Sequence, residues 1–196
     1  MKKVFACILF CLCIFVAMPV SAQDDYSDEE PDFYYGTVSN DLLTKIPIRT
    51  LNNINVIAET DTALYRIRSL EVQHVKDISP EALSLFGVTE DHCTAVTAYI
   101  AAENKLEVPT RIKIWESSLS ADDGTSVTRT KDISDLCTSI YQPHQTEVVC
   151  FTYVFSDLEP ADITELTFTF PCPEDADGNS FGEETEIKIS LDDYVE

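Results

Sequence analysis

Residues 148–155 read Val-Val-Cys-Phe-Thr-Tyr-Val-Phe, and residues 163–170 read Ile-Thr-Glu-Leu-Thr-Phe-Thr-Phe. In both stretches every second side chain is large and apolar, so one side of the chain is aliphatic and aromatic. A period of two is typical of a strand with one buried face, as in antiparallel sheets. The predicted buried side chains are Val149, Phe151, Tyr153, Phe155, Leu166, Phe168 and Phe170.

Short stretches of similar texture recur along the chain. The further predicted strands are residues 46–58, 64–75, 94–102, 111–115 and 187–191. The sequence Asp122-Asp123-Gly124 indicates a hairpin turn between two strands. About eight strands with turn signals and little helix predict an all-β, antiparallel β-sandwich.

One short connecting helix is predicted between the early strands. Ser79 is a favourable N-cap, Pro80 suits the first helical position, and Gly87 follows the last turn. One further turn of helix is predicted within residues 132–141. The sandwich is therefore expected to contain little other helix.

The first 22 residues have the layout of a cleaved secretory signal peptide. Lys2 and Lys3 precede an uncharged apolar run, and Val20-Ser21-Ala22 offers the small residues that a signal peptidase requires. An uncleaved anchor is the alternative, but acidic residues follow the run in place of a positive stop-transfer cluster. We expect a secreted or periplasmic protein with no membrane span after cleavage.

The remainder divides into an acidic leader and one folded unit. Residues 23–36 (QDDYSDEEPDFYYG) lack aliphatic periodicity and indicate a flexible leader, whose acids and tyrosines suit a cationic patch on a partner. Residues 37–196 are expected to form a single β-sandwich domain. No internal repeat or long linker interrupts them.

The net charge of −22 narrows the choice of partners. An acidic chain repels phosphate backbones and anionic lipid, so nucleic acid and peripheral membrane binding are excluded. The charge suits cationic partners or calcium, or it serves solubility alone.

Four cysteines remain after signal cleavage, namely Cys93, Cys137, Cys150 and Cys172. An even number in an exported chain predicts two disulfides. We favour Cys137–Cys150, which would close a short loop, together with Cys93–Cys172, and Cys93–Cys150 is the rival to the second pair. Zinc is disfavoured because the chain has no Cys-x-x-Cys pair.

A calcium candidate lies near the end of the chain. Oxygen-bearing side chains recur there at the alternating positions that let a loop converge on one hard cation. The candidate ligands are Asp175, Asp177, Asn179, Glu183 and Glu186. The alternative is an acidic turn between two strands, in which Asp, Gly and Asn serve the backbone.

Trp115, the only tryptophan, is the candidate anchor for a partner. In a strand it would share the polar face with Arg111 and Lys113, and an exposed tryptophan between cations is a typical binding residue. The alternative is that another segment of the chain covers this face.

The stretch from Thr94 to Phe170 resembles the immunoglobulin-like sandwich domain of bacterial secreted proteins and lipoproteins of unknown function. The resemblance rests on Ala98-Tyr99-Ile100-Ala101-Ala102-Glu103-Asn104-Lys105, on Val108-Pro109, and on Asp157-Leu158-Glu159 followed by the strand from Asp162 to Phe170. It implies an immunoglobulin-like sandwich that acts as a non-catalytic accessory or binding module. This chain departs from the pattern in its four cysteines and in having no lipid anchor.

We therefore expect binding and not catalysis. His74, His92 and His144 belong to no catalytic motif, and no cofactor-binding motif is present. The predicted function is a secreted or periplasmic binding module for an unknown protein or cell-surface partner. The alternatives are a calcium-stabilised structural module and a secreted β-sandwich hydrolase whose carboxylates assemble only in the folded chain.

Overall fold

Antiparallel strands in two sheets make up most of the structure, a computed structural model that describes residues 33, 36–128 and 140–194. The larger sheet has the strand order β1-β2-β4-β5-β8 with β3 beside β4, and the smaller has the order β10-β9-β6-β7. The predicted all-β sandwich is confirmed. The strands are β1 (Val38–Ser39), β2 (Thr44–Leu51), β3 (Val56–Glu59), β4 (Ala63–Lys76), β5 (Cys93–Asn104), β6 (Ser118–Ala121), β7 (Ser126–Thr128), β8 (Thr146–Phe155), β9 (Glu165–Phe170) and β10 (Thr185–Ser190).

The core lies between the two sheets and is lined by the alternating sets that the sequence predicts. Tyr153 of β8 meets Phe168 of β9 edge-on with ring centroids 5.7 Å apart, and Tyr65 stacks on Phe170 at 4.4 Å. The buried Tyr153 hydroxyl forms a 2.7 Å hydrogen bond with the Ser117 hydroxyl. Aromatic contacts across the core therefore join the large sheet to the small one.

Helix α1 (Pro80–Phe86) connects β4 to β5 and begins and ends as predicted. The Ala82 N–H donates to the Ser79 hydroxyl at 3.3 Å, and Gly87 ends the helix at a φ of +68°. Val75 of β4 and Cys93 of β5 belong to the apolar cluster that packs against this helix. The helix thus covers one end of the outer face, which is the side of the large sheet that points away from the small sheet.

Strand β4 contains a bulge at Arg68. Ile67 pairs with Ile100 of β5, whereas Ser69 pairs with the adjacent Tyr99, so Arg68 has no partner position on β5. Before the bulge the core-facing side chains have odd numbers, and after it they have even numbers, as with Leu70. The bulge explains why the alternation within residues 64–75 is weak in the sequence.

Polar side chains form a buried row on the outer face. Glu71 of β4 lies opposite Thr97 of β5, which lies opposite Thr152 of β8. Glu71 accepts hydrogen bonds from the Thr50 hydroxyl at 3.1 Å and from the Gln73 amide. Burial raises the pKa of Glu71 above its ordinary value.

Two predicted strands differ from the observed ones. Residues 46–58 are split into β2 and β3 because Asn53 and Asn55 adopt positive φ angles of 57° and 51°. The predicted strand at residues 111–115 is wrong, because a short 3-10 helix (Ile114–Glu116) occupies its second half. Further 3-10 helices are Pro160–Asp162 and Leu191–Tyr194.

The predicted disulfide Cys93–Cys172 is not formed, and neither is Cys93–Cys150. Cys93 begins β5 opposite Val75, whereas Cys172 lies close enough to Tyr65 to affect its pKa, ten positions away along β4. Cys150 lies opposite Tyr99, six positions from Cys93 along β5, which corresponds to about 20 Å. A disulfide requires Cα atoms within about 7 Å, so neither pair can close.

Some predictions concern residues that the structure does not describe. These are the signal peptide at residues 1–22, most of the leader at residues 23–36, the helical turn proposed within residues 132–141, and Cys137 with its predicted bond to Cys150. In the part of the chain that is described, no helix is both long enough and apolar enough to cross a bilayer.

Candidate functional site

A cleft of about 160 Å³ opens at the end of the large sheet that lies nearest to α1. His74 of β4 lies opposite Thr94 of β5, and His92 directly precedes β5. Because paired residues and their second neighbours share one side of a sheet, these three side chains meet on the same wall of the cleft. The two imidazole rings lie 6.4 Å apart between centroids. We call this feature the histidine cleft.

The opposite wall is the segment that follows β8. Phe155 pairs with Thr94, and the chain then crosses the strand ends as Ser156, Asp157, Leu158 and Glu159 before the 3-10 helix Pro160–Asp162. The buried Thr94 hydroxyl donates a hydrogen bond to the Leu158 carbonyl, which holds this segment against the sheet. The remaining lining residues are Glu90 and Cys93.

The electrostatics of the histidine cleft are dominated by carboxylates. His92 Nδ1 lies 3.1 Å from the Asp91 carboxylate, and its Nε2 lies 3.9 Å from Glu90. The hydrogen bond with Asp91 is the main cause that raises the pKa of His92, with Glu90 and Glu159 adding to it. Asp157 and Glu159 form no ion pair with any described residue.

This arrangement suits a small cationic group. Carboxylates provide the attraction, while Ser156 and a neutral imidazole provide further hydrogen-bond acceptors. Within residues 33, 36–128 and 140–194, no set of three or more His, Cys, Asp or Glu side chains is arranged to hold a metal ion. A primary amine or a guanidinium has several N–H groups that can donate to these acceptors.

The structure places Trp115 in the 3-10 helix Ile114–Glu116, and Arg111 and Lys113 precede that helix. The indole is half-buried and packs against the core instead of standing on the polar face of a strand. Both predicted cations bind a carboxylate, since Lys113 Nζ lies 2.7 Å and Arg111 Nη1 lies 3.4 Å from Glu174. The 3-10 helix changes the direction of Trp115, which the strand prediction could not anticipate.

The predicted calcium loop has the geometry of a turn that is closed on itself. Asp175 Oδ1 accepts hydrogen bonds from the N–H groups of Asp177 and Asn179, both at 2.9 Å, and Asp175 Oδ2 accepts one from the Asn179 side chain at 2.9 Å. The hydrogen bonds from Asn179 hold the pKa of Asp175 below its ordinary value. Glu183 and Glu186 are exposed and do not join Asp175 and Asp177 in a metal-binding set among the described residues.

We expect calcium to leave the melting temperature unchanged relative to EDTA, because the oxygens of Asp175 already accept hydrogen bonds from the loop itself. A cation present at about 100 times its Kd would add about 2.7 kcal/mol to the stability of the folded state. The measurement is differential scanning calorimetry of the exported chain in both buffers. A clear upward shift of the melting temperature in calcium would support the calcium-site hypothesis. Magnesium is the control ion.

The sequence did not single out the histidine cleft. His74 and His92 belong to no motif and are separated by the β4–α1–β5 connection. The antiparallel pairing of β4 with β5 brings them together. The available signal is one histidine near the end of the predicted strand 64–75 and another just before the predicted strand 94–102, with a short helix between them.

Comparison with known proteins supports the fold alone. No family model and no curated protein matches the chain. A solved protein of unknown function from Listeria monocytogenes has a TM-score of 0.57 at 12% identity, with 75% of this chain and 87% of that chain covered. The putative lipoprotein ycdA of Bacillus subtilis has a TM-score of 0.51 at 15% identity, and the match covers 71% of this chain and 40% of that one.

Both neighbours are uncharacterised bacterial proteins. A third is an uncharacterised β-sandwich protein from Clostridium difficile, with a TM-score of 0.31 at 10% identity. That match covers 85% of this chain and 100% of the other.

Proposed function

We propose that this protein is a secreted or periplasmic, non-catalytic binding module, and that a cationic group of a protein or cell-surface partner enters the histidine cleft. The observation that carries the proposal is the pair Asp157 and Glu159. Both line the cleft, and neither has a cationic partner among the described residues. The matching group on a partner is a lysine or arginine side chain.

The charge of the whole chain supports this direction of recognition. A net charge of −22 attracts cationic partners over a distance and speeds their encounter. The cleft then adds local selectivity, because its two walls converge on a volume of about 160 Å³ that admits a single side chain.

The immunoglobulin-like class and the export of the chain belong to the same proposal. They are supported by the signal-like residues 1–22, by the resemblance of residues 94–170, and by a structural neighbour described as a lipoprotein. Sandwich domains of this kind commonly present loops at the ends of their strands to partners. The histidine cleft lies at such a strand end.

The two alternative functions have less support. A carboxylate hydrolase would need a deep pocket with buried carboxylates, whereas Asp157 and Glu159 are exposed. Glu71 is a buried carboxylate, but it lies on the outer face and accepts hydrogen bonds from Thr50 and Gln73. The calcium-stabilised module depends on a loop whose central carboxylate is engaged within the loop itself.

We expect a tetralysine peptide to bind in the histidine cleft and the variant Asp157→Asn/Glu159→Gln to bind it about tenfold more weakly, because two charge interactions of modest strength are lost. The measurement is a titration followed by amide NMR shifts. The affected amides should map to His92, Thr94 and Ser156.

The matched control is Glu183→Gln/Glu184→Gln, which removes the same charge from an exposed loop. An equal loss in both variants would mean that the peptide senses only the net charge, and the proposal would fail. A second readout is pH. Protonated His92 repels a cation, so affinity should decrease as the pH falls below the raised pKa of His92.

A further inference from the structure

Phe33 marks the point where the leader meets the folded chain. Its N–H donates to the Asn52 side chain at 3.1 Å, and its ring lies 4.9 Å from the ring of Tyr99. Tyr99 pairs with Cys150 on one side and with Ser69 on the other, and its side chain lies on the outer face of the large sheet. Phe33 therefore lies against the outer face of the large sheet.

The outer face next to Tyr99 is partly buried and contains an arginine. Arg66 lies opposite Ala101, two positions from Tyr99 along β5, and Arg68 sits at the neighbouring bulge. Ser69 and Ala101 are only 1% and 6% exposed. The buried Arg66 Nε has no hydrogen-bond partner. We call Arg66, Ser69, Tyr99 and Ala101 the Tyr99 patch.

An unsatisfied guanidinium N–H in a buried position requires an acceptor. The described residues form no ion pair with Arg66, and a carboxylate is the acceptor that a guanidinium binds best. The residues that precede Phe33 supply such groups, because residues 23–32 contain six carboxylates and no cation.

The distances are compatible with this pairing. Arg66 lies opposite Ala101, which is two residues, or about 7 Å, from Tyr99 along β5. An extended chain advances about 3.3 Å per residue, so Asp32 and Glu30 reach Arg66 from Phe33 without strain. Glu71 lies on the opposite side of Tyr99, away from this path.

We propose that the acidic leader, residues 23–32, docks on the Tyr99 patch, with Phe33 as its anchor and its last carboxylates against Arg66. The sequence suggested a cationic patch on a partner as the target of these acids, and the Tyr99 patch is such a target within the same chain. The docked leader shields the outer face, and a partner with an acidic segment of its own could displace it. This inference is independent of the histidine cleft.

The test is chymotryptic cleavage after Tyr26 in the exported chain, residues 23–196. Docking protects this bond, so Arg66→Gln should speed cleavage about fivefold, the effect of losing one well-placed ion pair. Lys188→Gln is the matched control, since Lys188 lies on β10 of the other sheet and its removal changes the net charge equally. The control should cleave at the rate of the unaltered chain.

A double-mutant cycle assigns the effect to the leader. In Glu29→Gln/Glu30→Gln/Asp32→Asn, which leaves the cleavage site intact, cleavage should already be fast and Arg66→Gln should add nothing. Arg66→Lys, which keeps the charge, should retain part of the protection. A free peptide of residues 23–36 gives the unprotected rate, and high salt should bring the unaltered chain towards it.

Equal cleavage of the unaltered chain and the free peptide would overturn the proposal. So would acceleration by Arg66→Gln that persists with the neutral leader, since the variant would then act through the fold. If Arg66→Gln does not fold by circular dichroism, the comparison of the acidic and neutral leaders in low and high salt decides the question.

Discussion

The variant Phe168→Ala should lower the free energy of unfolding by about 3–5 kcal/mol, the range for removing a fully buried phenylalanine. Phe168 is at the centre of β9, between Ile187 of β10 and Leu119 of β6. Its ring also meets Tyr153 of β8 across the core. The substitution therefore leaves a cavity at the contact between the two sheets. Filling this cavity would require one sheet to shift relative to the other.

Urea unfolding followed by tryptophan fluorescence measures this change. The matched control is Thr169→Ala on the same strand, since Thr169 points to the opposite side and is half-buried. We expect less than about 1 kcal/mol for the control, in line with differences in strand propensity. Similar values for the two variants would show that the contact between the sheets does not carry the stability assigned to it.

The second large effect is expected at Asn104, the last residue of β5. Its side-chain amide donates to the carbonyls of Val108 at 2.8 Å, Gln142 at 3.1 Å and Tyr141 at 3.2 Å, and its Oδ1 accepts from the Leu106 N–H at 3.1 Å. The residue is fully buried. Asn104→Ala removes four hydrogen bonds at a fully buried position and leaves the Leu106 N–H without its acceptor, so we expect a loss of about 3 kcal/mol.

The conservative variant Asn104→Asp separates hydrogen bonding from packing. Aspartate has the same shape but donates no hydrogen bond, and it places negative charge against three carbonyl oxygens. We expect Asn104→Asp to be at least as destabilising as Asn104→Ala at neutral pH. Full stability of the aspartate variant would mean that the shape of the side chain, and not its donors, organises this turn.

Asn104 also shows how far sequence reasoning reaches. It belongs to the Glu-Asn-Lys turn that supports the resemblance to immunoglobulin-like domains, yet its role depends on carbonyls from residues 141 and 142. Strand alternation and helix caps are local, and those predictions are confirmed at β8, β9 and α1. Contacts between distant segments leave no such local pattern.

The errors have the same origin. Residues 111–115 alternate like a strand, but Ile112 and Ile114 are buried in a segment that turns into a 3-10 helix. The even number of cysteines and an assumed pairing of strand ends suggested a Cys93–Cys172 bond, although Cys93 lies opposite Val75 and Cys172 lies near Tyr65, ten positions away along β4. The histidine cleft depends on which positions of β4 and β5 are paired. This register cannot be predicted from the sequence of either strand alone.

The bulge at Arg68 has a consequence for how β4 can change during evolution. In the first half of the strand the odd-numbered side chains face the core, and in the second half the even-numbered ones do. The unmatched residue at the bulge thus keeps Tyr65 and Val72 on the same side of the sheet. The side chains at the junction are constrained by burial, since Ile67 is fully buried and Ser69 is 1% exposed, and the number of residues there is constrained as well. Loss of one residue there would shift the frame of the second half, turning Glu71 and Gln73 into the core and Leu70 and Val72 out of it. Strand length is therefore constrained at this point in addition to residue identity.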